Sequence, residues 1–247
     1  MKSLFKMTWM ETKLFLREPV GAFFTLVFPL MMLFLFGSIY GNAPVAMFGG
    51  YGTIDVSVPA YTAMIIATTG LVGLTITMAG YRENGVLRRL QTTPISPLIV
   101  LTAQVIVLFL MTTFGMFLLI LAGKLVYHMR FDGHALSVLA GFVLSSLSFF
   151  ALGFILAGLM PTARTAQVVG MVLLYPMLFL SGAGFPRELL PEAIKKISMY
   201  LPLTYVVNLL RGLWIGEAWS QHSTEVIVLA VLLVVGVLIS VKTFRWE

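Results

Sequence analysis

Residues 82–97 read RENGVLRRLQTTPISP, a polar segment that lies between two stretches of the chain without any charged residue. These uncharged stretches run over 56–81 and 90–123, and each exceeds the roughly 20 apolar residues that a helix needs to cross a bilayer. The polar segment is therefore predicted to connect two membrane spans. A helical connection of this kind can transmit force from a soluble partner to both spans.

The polar segment carries the pattern of a short amphipathic helix. Val86, Leu87 and Leu90 form a small apolar face at spacings of three and four, while the charged residues occupy the other faces. Pro94 ends the pattern, because proline cannot continue a helix. The sequence predicts a helix over 82–91. An ordinary polar loop is the alternative, since isolated helices this short are marginal in water.

The composition of the chain is that of a membrane protein. Hydrophobic residues make up 59% of the sequence and charged residues only 11%, whereas about a quarter of the residues of a soluble domain are charged. We expect a single all-α integral membrane domain over 1–247, with any soluble engine on another chain. The absence of cysteine excludes disulfides and thiolate metal sites.

Uncharged intervals predict six transmembrane helices. The predicted spans are 20–40, 57–80, 98–122, 136–160, 165–182 and 226–241. An even number of spans places both termini on one side of the membrane. If that side is the cytoplasm, the inner segments carry the whole net charge of +6 and the outer segments balance to zero, as the positive-inside rule requires. We therefore expect a multi-pass protein of the inner or plasma membrane with cytoplasmic termini, and the basic charge does not indicate nucleic-acid binding.

The amino-terminal segment, 1–18, is predicted to be an interfacial elbow helix. Its basic residues form one stripe that could lie against anionic lipid headgroups: Lys2, Lys6, Lys13 and Arg17. Glu11 and Glu18 fall on the opposite side, where they could face a protein partner. A basic flank that merely orients the first span is the alternative.

The region 185–214 is predicted to contain outer re-entrant helices. It holds short apolar helical segments broken by proline, and non-helical backbone at membrane depth is tolerated only where it is buried in protein or faces water. The alternative is a solvated outer loop with two surface helices. The predicted outer gate consists of Phe185, Pro186, Pro191, Pro202 and Arg211.

The second and fifth predicted spans are rich in hydroxyl, methionine and aromatic side chains. Such side chains suit a cavity for varied amphipathic molecules, although small and flexible residues also serve close helix packing. The candidate cavity residues are Thr62, Thr68, Thr69, Thr75, Met171, Tyr175 and Phe179.

Several kinds of chemistry are not predicted. The chain has no Gly-x-x-x-x-Gly-Lys-Ser/Thr run that could hold nucleotide phosphates. Its three histidines lack metal-ligand spacing. The predicted spans contain no charged residue, which argues against an ion-coupled secondary transporter or channel and against an intramembrane enzyme. We therefore predict no catalytic residue, no metal site and no cofactor bound by this chain.

Residues 82–97 resemble the pattern Glu-x-Gly-x-Leu-x-Arg-Leu-x-x-Thr-Pro-x-Ser of type-2 ABC exporter permeases. The positions that match are Glu83, Gly85, Leu87, Arg89, Leu90, Thr93, Pro94 and Ser96. Arg88 stands where the family is often acidic or variable. Residues 175–212 are similar to the fifth span and re-entrant helices of the same family, so the resemblance covers nearly the full chain.

The resemblance implies a function. In this family the segment between the second and third spans is a cytoplasmic coupling helix that contacts a separate ATPase subunit, which binds ATP and magnesium. The coupling residues implied here are Arg82, Glu83, Gly85, Leu87, Arg88, Arg89 and Leu90. The chain would pair with a second copy or a homologue along its second and fifth spans, amid membrane lipid, and would export drug-like molecules or lipids. Polysaccharide or lipid-linked glycan export is the alternative within the family.

Overall fold

The computed structural model describes residues 2–91 and 97–243, which form helices and connecting loops without a β-strand. Six of the helices in these ranges are long and apolar enough to cross a membrane, so the predicted six-span all-α fold is confirmed. The helices are α1 (Lys2–Arg17), α2 (Phe23–Tyr40), α3 (Thr53–Glu83), α4 (Val86–Gln91), α5 (Pro97–Tyr127), α6 (Ala135–Leu159), α7 (Ala163–Leu180), α8 (Glu192–Ser198), α9 (Pro202–Trp214) and α10 (Ser223–Thr243). The membrane-length helices are α2, α3, α5, α6, α7 and α10.

Helix α3 forms the centre of the bundle. It packs against α2 and α5 on one side and against α6, α7 and α9 on the other, while α10 lies farther out against α6 and α9. Every residue from Thr53 to Ala67 is buried. Helix α1 runs along α5 at the end of the bundle where α3 ends. We call this end the α4 end, because α4 also lies there, and the other end the α9 end.

The central helix is longer than the uncharged stretch that predicted it. It includes Asp55 in its first turn and Arg82 and Glu83 in its last, and α5, α7 and α10 also include charged residues near their ends. The uncharged intervals that predicted the spans are therefore shorter than these helices. Counting uncharged residues finds only the apolar part of a helix. A helix continues past that limit wherever its charged side chains find polar partners.

Asp55 has such partners at the α9 end. Its side chain is buried, and it accepts hydrogen bonds from the backbone N–H of Gly52 and Arg130 and from the side-chain amide of Asn42, each at 2.8 Å. The Asn42 side-chain oxygen in turn accepts from the N–H of Ile54 at 2.9 Å. The network satisfies the N–H groups of Gly52, Ile54 and Asp55 at the start of α3. It also fixes the loop after α2 and the loop after α5 to the same helix end.

The middle of α3 crosses α6 and α7 at glycine residues. Here, over Thr68–Leu74, α3 adopts π-helical geometry. A Cβ on Gly153 of α6 would overlap the carbonyl oxygen of Gly70, and a Cβ on Gly170 of α7 would lie 2.7 Å from the carbonyl oxygen of Leu71. Thr75 reinforces the crossing, since its hydroxyl donates to the Gly153 carbonyl at 3.2 Å. The three helices therefore approach each other at backbone contact, as small residues permit in membrane bundles.

The two short helices of the 185–214 region differ in burial. Helix α8 lies at the surface, with Ser198 its only buried residue. Helix α9 is inserted between α3, α6, α7 and α10, and most of its residues are buried. A pair of surface helices therefore does not describe this region. The membrane depth of α9, which the re-entrant interpretation specifies, stays a prediction.

The glycine crossing generates the first prediction. We expect Gly153→Ala to lower the unfolding temperature of the chain purified in detergent, because the new methyl group has to displace α3. Overpacking of this kind costs about 1–3 kcal/mol. Gly73→Ala is the matched control, since a Cβ on Gly73 would have its nearest neighbour 3.9 Å away. Equal unfolding temperatures for the two variants would contradict the crossing.

Candidate functional site: the short helix α4 and its supports

Helix α4 follows α3 directly, through a turn at Gly85. Gly85 has φ +65°, a left-handed conformation that glycine adopts without steric cost and that commonly ends a helix. Its N–H donates to the carbonyl of Arg82, and its own carbonyl accepts from the N–H of Arg89 inside α4. The turn thus joins α4 to the central helix with no flexible linker between them. Gly85 thus has a structural role in this turn, and its predicted part in coupling to an ATPase subunit stays a prediction.

The apolar face of α4 is covered by the chain itself. Leu87 is 1% exposed and lies in a cluster with Met7 of α1 and Val100 and Ala103 of α5. The hypothesis that Leu87 contacts an ATPase subunit therefore needs correction, because this side chain fixes α4 to its own bundle. The side chain of Leu90, and residues Thr93, Pro94 and Ser96 of the motif, lie outside the described residues.

The outward face of α4 is basic. Arg88 and Arg89 are both exposed. Arg88 is the position that departs from the family pattern, and the structure places it on the surface that a partner could reach. Among the predicted coupling residues whose side chains are described, Glu83, Arg88 and Arg89 are exposed and therefore accessible to a partner.

Three consecutive residues at the end of α3 connect it to three other elements. The Tyr81 hydroxyl donates to the Glu11 carboxylate of α1, with oxygen distances of 2.7 and 2.8 Å. The Arg82 guanidinium donates to the carbonyls of Gly158 and Met160 at the end of α6. The Glu83 carboxylate accepts from the N–H of Ala163 at 2.8 Å, at the start of α7.

These contacts follow the electrostatics of helix ends. The last carbonyls of a helix are unsatisfied and partly negative, and the first N–H groups are unsatisfied and partly positive. Arg82 thus suits the end of α6, and Glu83 suits the start of α7. Both residues hold the α6–α7 connection against α3, and their predicted contact with a partner stays a prediction.

Glu11 is a functional candidate that the sequence analysis misplaced. The prediction that it faces a protein partner is wrong, because its side chain is buried against Tyr81. Burial raises the pKa of the Glu11 carboxyl, and the hydrogen bond from Tyr81 partly opposes this increase. The contact between Tyr81 and Glu11 could not be predicted, because no pattern in the sequence relates a tyrosine at the end of an apolar span to residue 11.

The rest of α1 presents a mixed outer surface. Lys6, Lys13 and Arg17 are exposed, together with Phe5, Trp9 and Leu16. The Lys13 ammonium lies over the Trp9 ring, 5.2 Å from its centroid. Bases beside exposed aromatic and aliphatic groups suit a membrane surface, although the position of α1 relative to a membrane stays a prediction.

The candidate cavity residues fall into two groups. Thr62, Thr69 and Thr75 are buried between helices of the same chain, and the Thr62 hydroxyl donates to the carbonyl of Val58 in its own helix. In contrast, Tyr175 and Phe179 of α7 are exposed. Thr68 and Met171 have intermediate exposure. The seven residues therefore do not share one surface of the chain.

The candidate gate residues lie at the α9 end. Phe185, Pro186 and Arg211 line a cavity of about 240 Å³ between α3, the loop after α7 and α9. Pro191 precedes α8, and Pro202 is the first residue of α9, as the fixed φ of proline favours. Neither of these two prolines lines the cavity. Within residues 2–91 and 97–243, no group of three or more His, Cys, Asp or Glu side chains could hold a metal ion.

The fold and the site define a multi-pass helical membrane protein whose second span ends in a short docked helix. The model of the ABC-2 type transporter family matches residues 2–214, and the chain belongs to this family. Relatives of the chain are named as transport permeases.

Three relatives show the range of similarity. Nodulation protein J of Rhizobium leguminosarum bv. viciae is 33% identical over 112 residues, which are 45% of this chain and 42% of that protein. The probable multidrug ABC transporter permease YbhR of Escherichia coli is 22% identical over 161 residues, 65% of this chain and 44% of that protein. The inner membrane transport permease YhhJ of Escherichia coli is 24% identical over 195 residues, 74% of this chain and 48% of that protein. The chain therefore matches less than half the length of each of these relatives.

The contact between Tyr81 and Glu11 generates the second prediction. Tyr81→Phe removes the donor and leaves a buried carboxyl without it, which costs about 1–3 kcal/mol. We expect a lower unfolding temperature in detergent, measured by intrinsic fluorescence. Adding Glu11→Gln to this variant should restore part of the loss, because a neutral amide is less costly to bury than a carboxylate.

Tyr200→Phe is the control for this experiment, since Tyr200 is 86% exposed. An equal loss in this control, or no loss in Tyr81→Phe, would show that the hydrogen bond contributes nothing to the attachment of α1.

Proposed function

We propose that this chain is the membrane subunit of an ATP-driven exporter and that α4 is the helix through which the ATPase subunit acts on the bundle. The observation that carries the proposal is that α4 is attached both to the bundle and to the central helix. One side is fixed to α1 and α5 through Leu87, the other exposes Arg88 and Arg89, and the helix continues into α3 through Gly85. A displacement of α4 therefore moves the central helix.

The residues at the end of α3 extend this path. Tyr81, Arg82 and Glu83 tie the same helix end to α1 and to the α6–α7 connection. Movement of α4 would thus reach α1, α3, α5, α6 and α7 together, which suits a rigid-body rocking of the whole subunit. Separate motion of one span would require breaking these contacts. In this proposal the α4 end is cytoplasmic and both termini lie on that side, as the distribution of basic residues supports.

The cargo proposed is an amphipathic or hydrophobic compound, either drug-like or lipid. The similarity to a relative named as a probable multidrug ABC transporter permease supports this class. The exposed aromatic residues Tyr175 and Phe179 of α7 support it as well, because aromatic side chains bind varied apolar groups. Export of a polysaccharide or lipid-linked glycan is the alternative within the same family.

An ion-coupled transporter is less well supported. Its strongest structural evidence would be a charged residue within a span, and α3 contains the buried Asp55. However, both carboxylate oxygens of Asp55 accept hydrogen bonds that fix loops to the helix end. A carboxylate with these hydrogen bonds has a structural role. An ion-coupling site would need a carboxylate that can exchange its hydrogen-bond partners.

The basic face of α4 generates the third prediction. We expect Arg88→Glu to weaken co-purification with the ATPase subunit about tenfold, or about 1.4 kcal/mol, because charge reversal at an interface opposes the partner's complementary potential. Substrate-stimulated ATP hydrolysis by the assembled complex should fall in parallel. Lys196→Glu, an equivalent reversal of an exposed residue at the α9 end, should change neither measurement. Unchanged co-purification for Arg88→Glu would exclude this face as the contact.

We also propose that a second copy of the chain packs against α7. Four exposed apolar residues lie on one face of this helix at spacings of four, three and four: Val168, Val172, Tyr175 and Phe179. Such a stripe is the pattern by which one helix packs along another. The exposed aromatic side chains of the candidate cavity, Tyr175 and Phe179, would then lie between the two copies.

The fourth prediction tests this pairing with single cysteines, which the natural chain lacks. In membranes, Val172→Cys should form disulfide-linked dimers under mild oxidation, because facing residues of a two-fold interface meet each other. Val234→Cys on α10 is similarly exposed, at 58% against 64%, and should not cross-link. Equal yields at both positions would indicate random collision, and the absence of cross-links at Val172 would exclude a homodimer along this face.

A further inference from the structure

The α9 end contains a cavity lined by more cations than carboxylates. Its charged side chains are Arg187, Glu188, Lys195 and Arg211, and Ser57 and Asn208 add neutral polar groups. Three bases thus surround one acid in a space of about 240 Å³. A partly enclosed space with this excess positive charge favours an anion.

Two of the three bases in this cavity are not held by a buried carboxylate. Arg211 pairs with Glu188, and both side chains are about three-quarters buried. Lys195 pairs at 2.9 Å with Glu192, an exposed residue outside the cavity. Arg187 donates weakly, at 3.5 Å, to the Lys195 carbonyl and has no salt bridge to a carboxylate in the described parts of the chain. Its Nε is buried without a hydrogen-bond partner, as is one carboxylate oxygen of Glu188.

A second, apolar cavity adjoins the first. It has a volume of about 280 Å³ and shares Ser57, Tyr61 and Phe185 with the polar cavity. Its apolar lining includes Phe36, Tyr40, Val45, Met47, Phe48 and Leu189. The two spaces therefore share part of their lining, so that a polar compartment and an apolar compartment lie next to each other.

We propose that the two compartments form one binding site for an anionic amphiphile. The phosphate or carboxylate headgroup would lie between Arg187 and Lys195, where a planar guanidinium can bind two oxygens at once. The alkyl chain would pass Phe185 and lie along the apolar lining of the second cavity. The site lies within one chain and at the opposite end from α4, so it goes beyond the proposed function and does not depend on it.

The same chemistry could come from two sources, an anionic phospholipid of the surrounding membrane or an anionic transported compound. Both present a charged head and an alkyl tail, and the site recognises that combination. The source is distinguished below by the response to ATP turnover.

Protection of a single cysteine tests the site. Phe185 lines both compartments and is 41% exposed, so Phe185→Cys should react with a water-soluble maleimide in the full chain purified in detergent. We expect decyl phosphate to slow this reaction about tenfold at a concentration roughly nine times its dissociation constant, as mass action requires. Inorganic phosphate and decanol, which each supply half of the ligand, should slow it less than about twofold at the same concentrations.

Charge variants decide whether the cavity bases bind the headgroup. Arg187→Gln, or Lys195→Gln as a second variant, should weaken protection by decyl phosphate about tenfold or more, the loss expected for an ionic hydrogen bond. Lys196→Gln removes the neighbouring exposed base, which does not line the cavity, and should leave protection unchanged. Equal protection by decanol and decyl phosphate, or an equal effect of all three variants, would overturn the proposal.

Nanodiscs with the ATPase partner identify the source. Protection by phosphatidylglycerol but not by phosphatidylcholine, unaffected by ATP hydrolysis, would support the site with a resident phospholipid as its occupant. Protection by an anionic compound that is lost during ATP hydrolysis would support the site with cargo as its occupant. Equal protection in both lipids, with none from any anionic compound, would overturn the site.

Discussion

The bundle depends on the close approach of α3 to α6 and α7 at glycine residues. Gly153 and Gly170 face the backbone carbonyls of Gly70 and Leu71, so the central helix meets both neighbours without intervening side chains. In a membrane there is no hydrophobic force between apolar helices, and close packing of this kind is one of the main sources of association. The π-helical stretch of α3 lies at this crossing, where such distortions of a helix are frequently connected with function. The crossing holds the middle of α3 while leaving both of its ends to polar contacts.

Those ends are fixed in two different ways. At the α9 end the Asp55 carboxylate accepts three hydrogen bonds from two loops and its own helix start. At the α4 end Tyr81, Arg82 and Glu83 reach three separate elements. A helix that is held at its middle and at both ends moves as a rigid body when a force acts on one end. A short helix joined to this rigid helix through one glycine can therefore act on the whole subunit.

The spans could be predicted because burying a charge in a bilayer is costly. Each span is therefore recognisable in the sequence as a long stretch without charged residues. The sequence located α4 as well, since the polar segment and its apolar face were both local patterns. It could not show that Leu87 packs under α1, or that Glu11 meets Tyr81, because those contacts join residues 70 or more positions apart. The same limit explains Arg82 and Glu83. The family resemblance implied an outward contact for them, whereas their partners within the chain are helix ends that only the fold brings near.

The central helix also connects the two regions for which we propose functions. Ser57 and Tyr61, near its start, line the cavities at the α9 end. At its other end Tyr81 to Glu83 bind α1 and the α6–α7 connection, and Gly85 joins the helix to α4. A rigid displacement of α3 along or across the bundle would change the shape of those cavities and the position of α4 together. Thermodynamic linkage then requires reciprocity: if a ligand in the cavities prefers one position of α3, a partner that shifts α4 changes the ligand's affinity by the same factor that the ligand changes the partner's. The strength of this coupling would depend on the glycine crossing, because a larger side chain there would separate α3 from the helices that move with it.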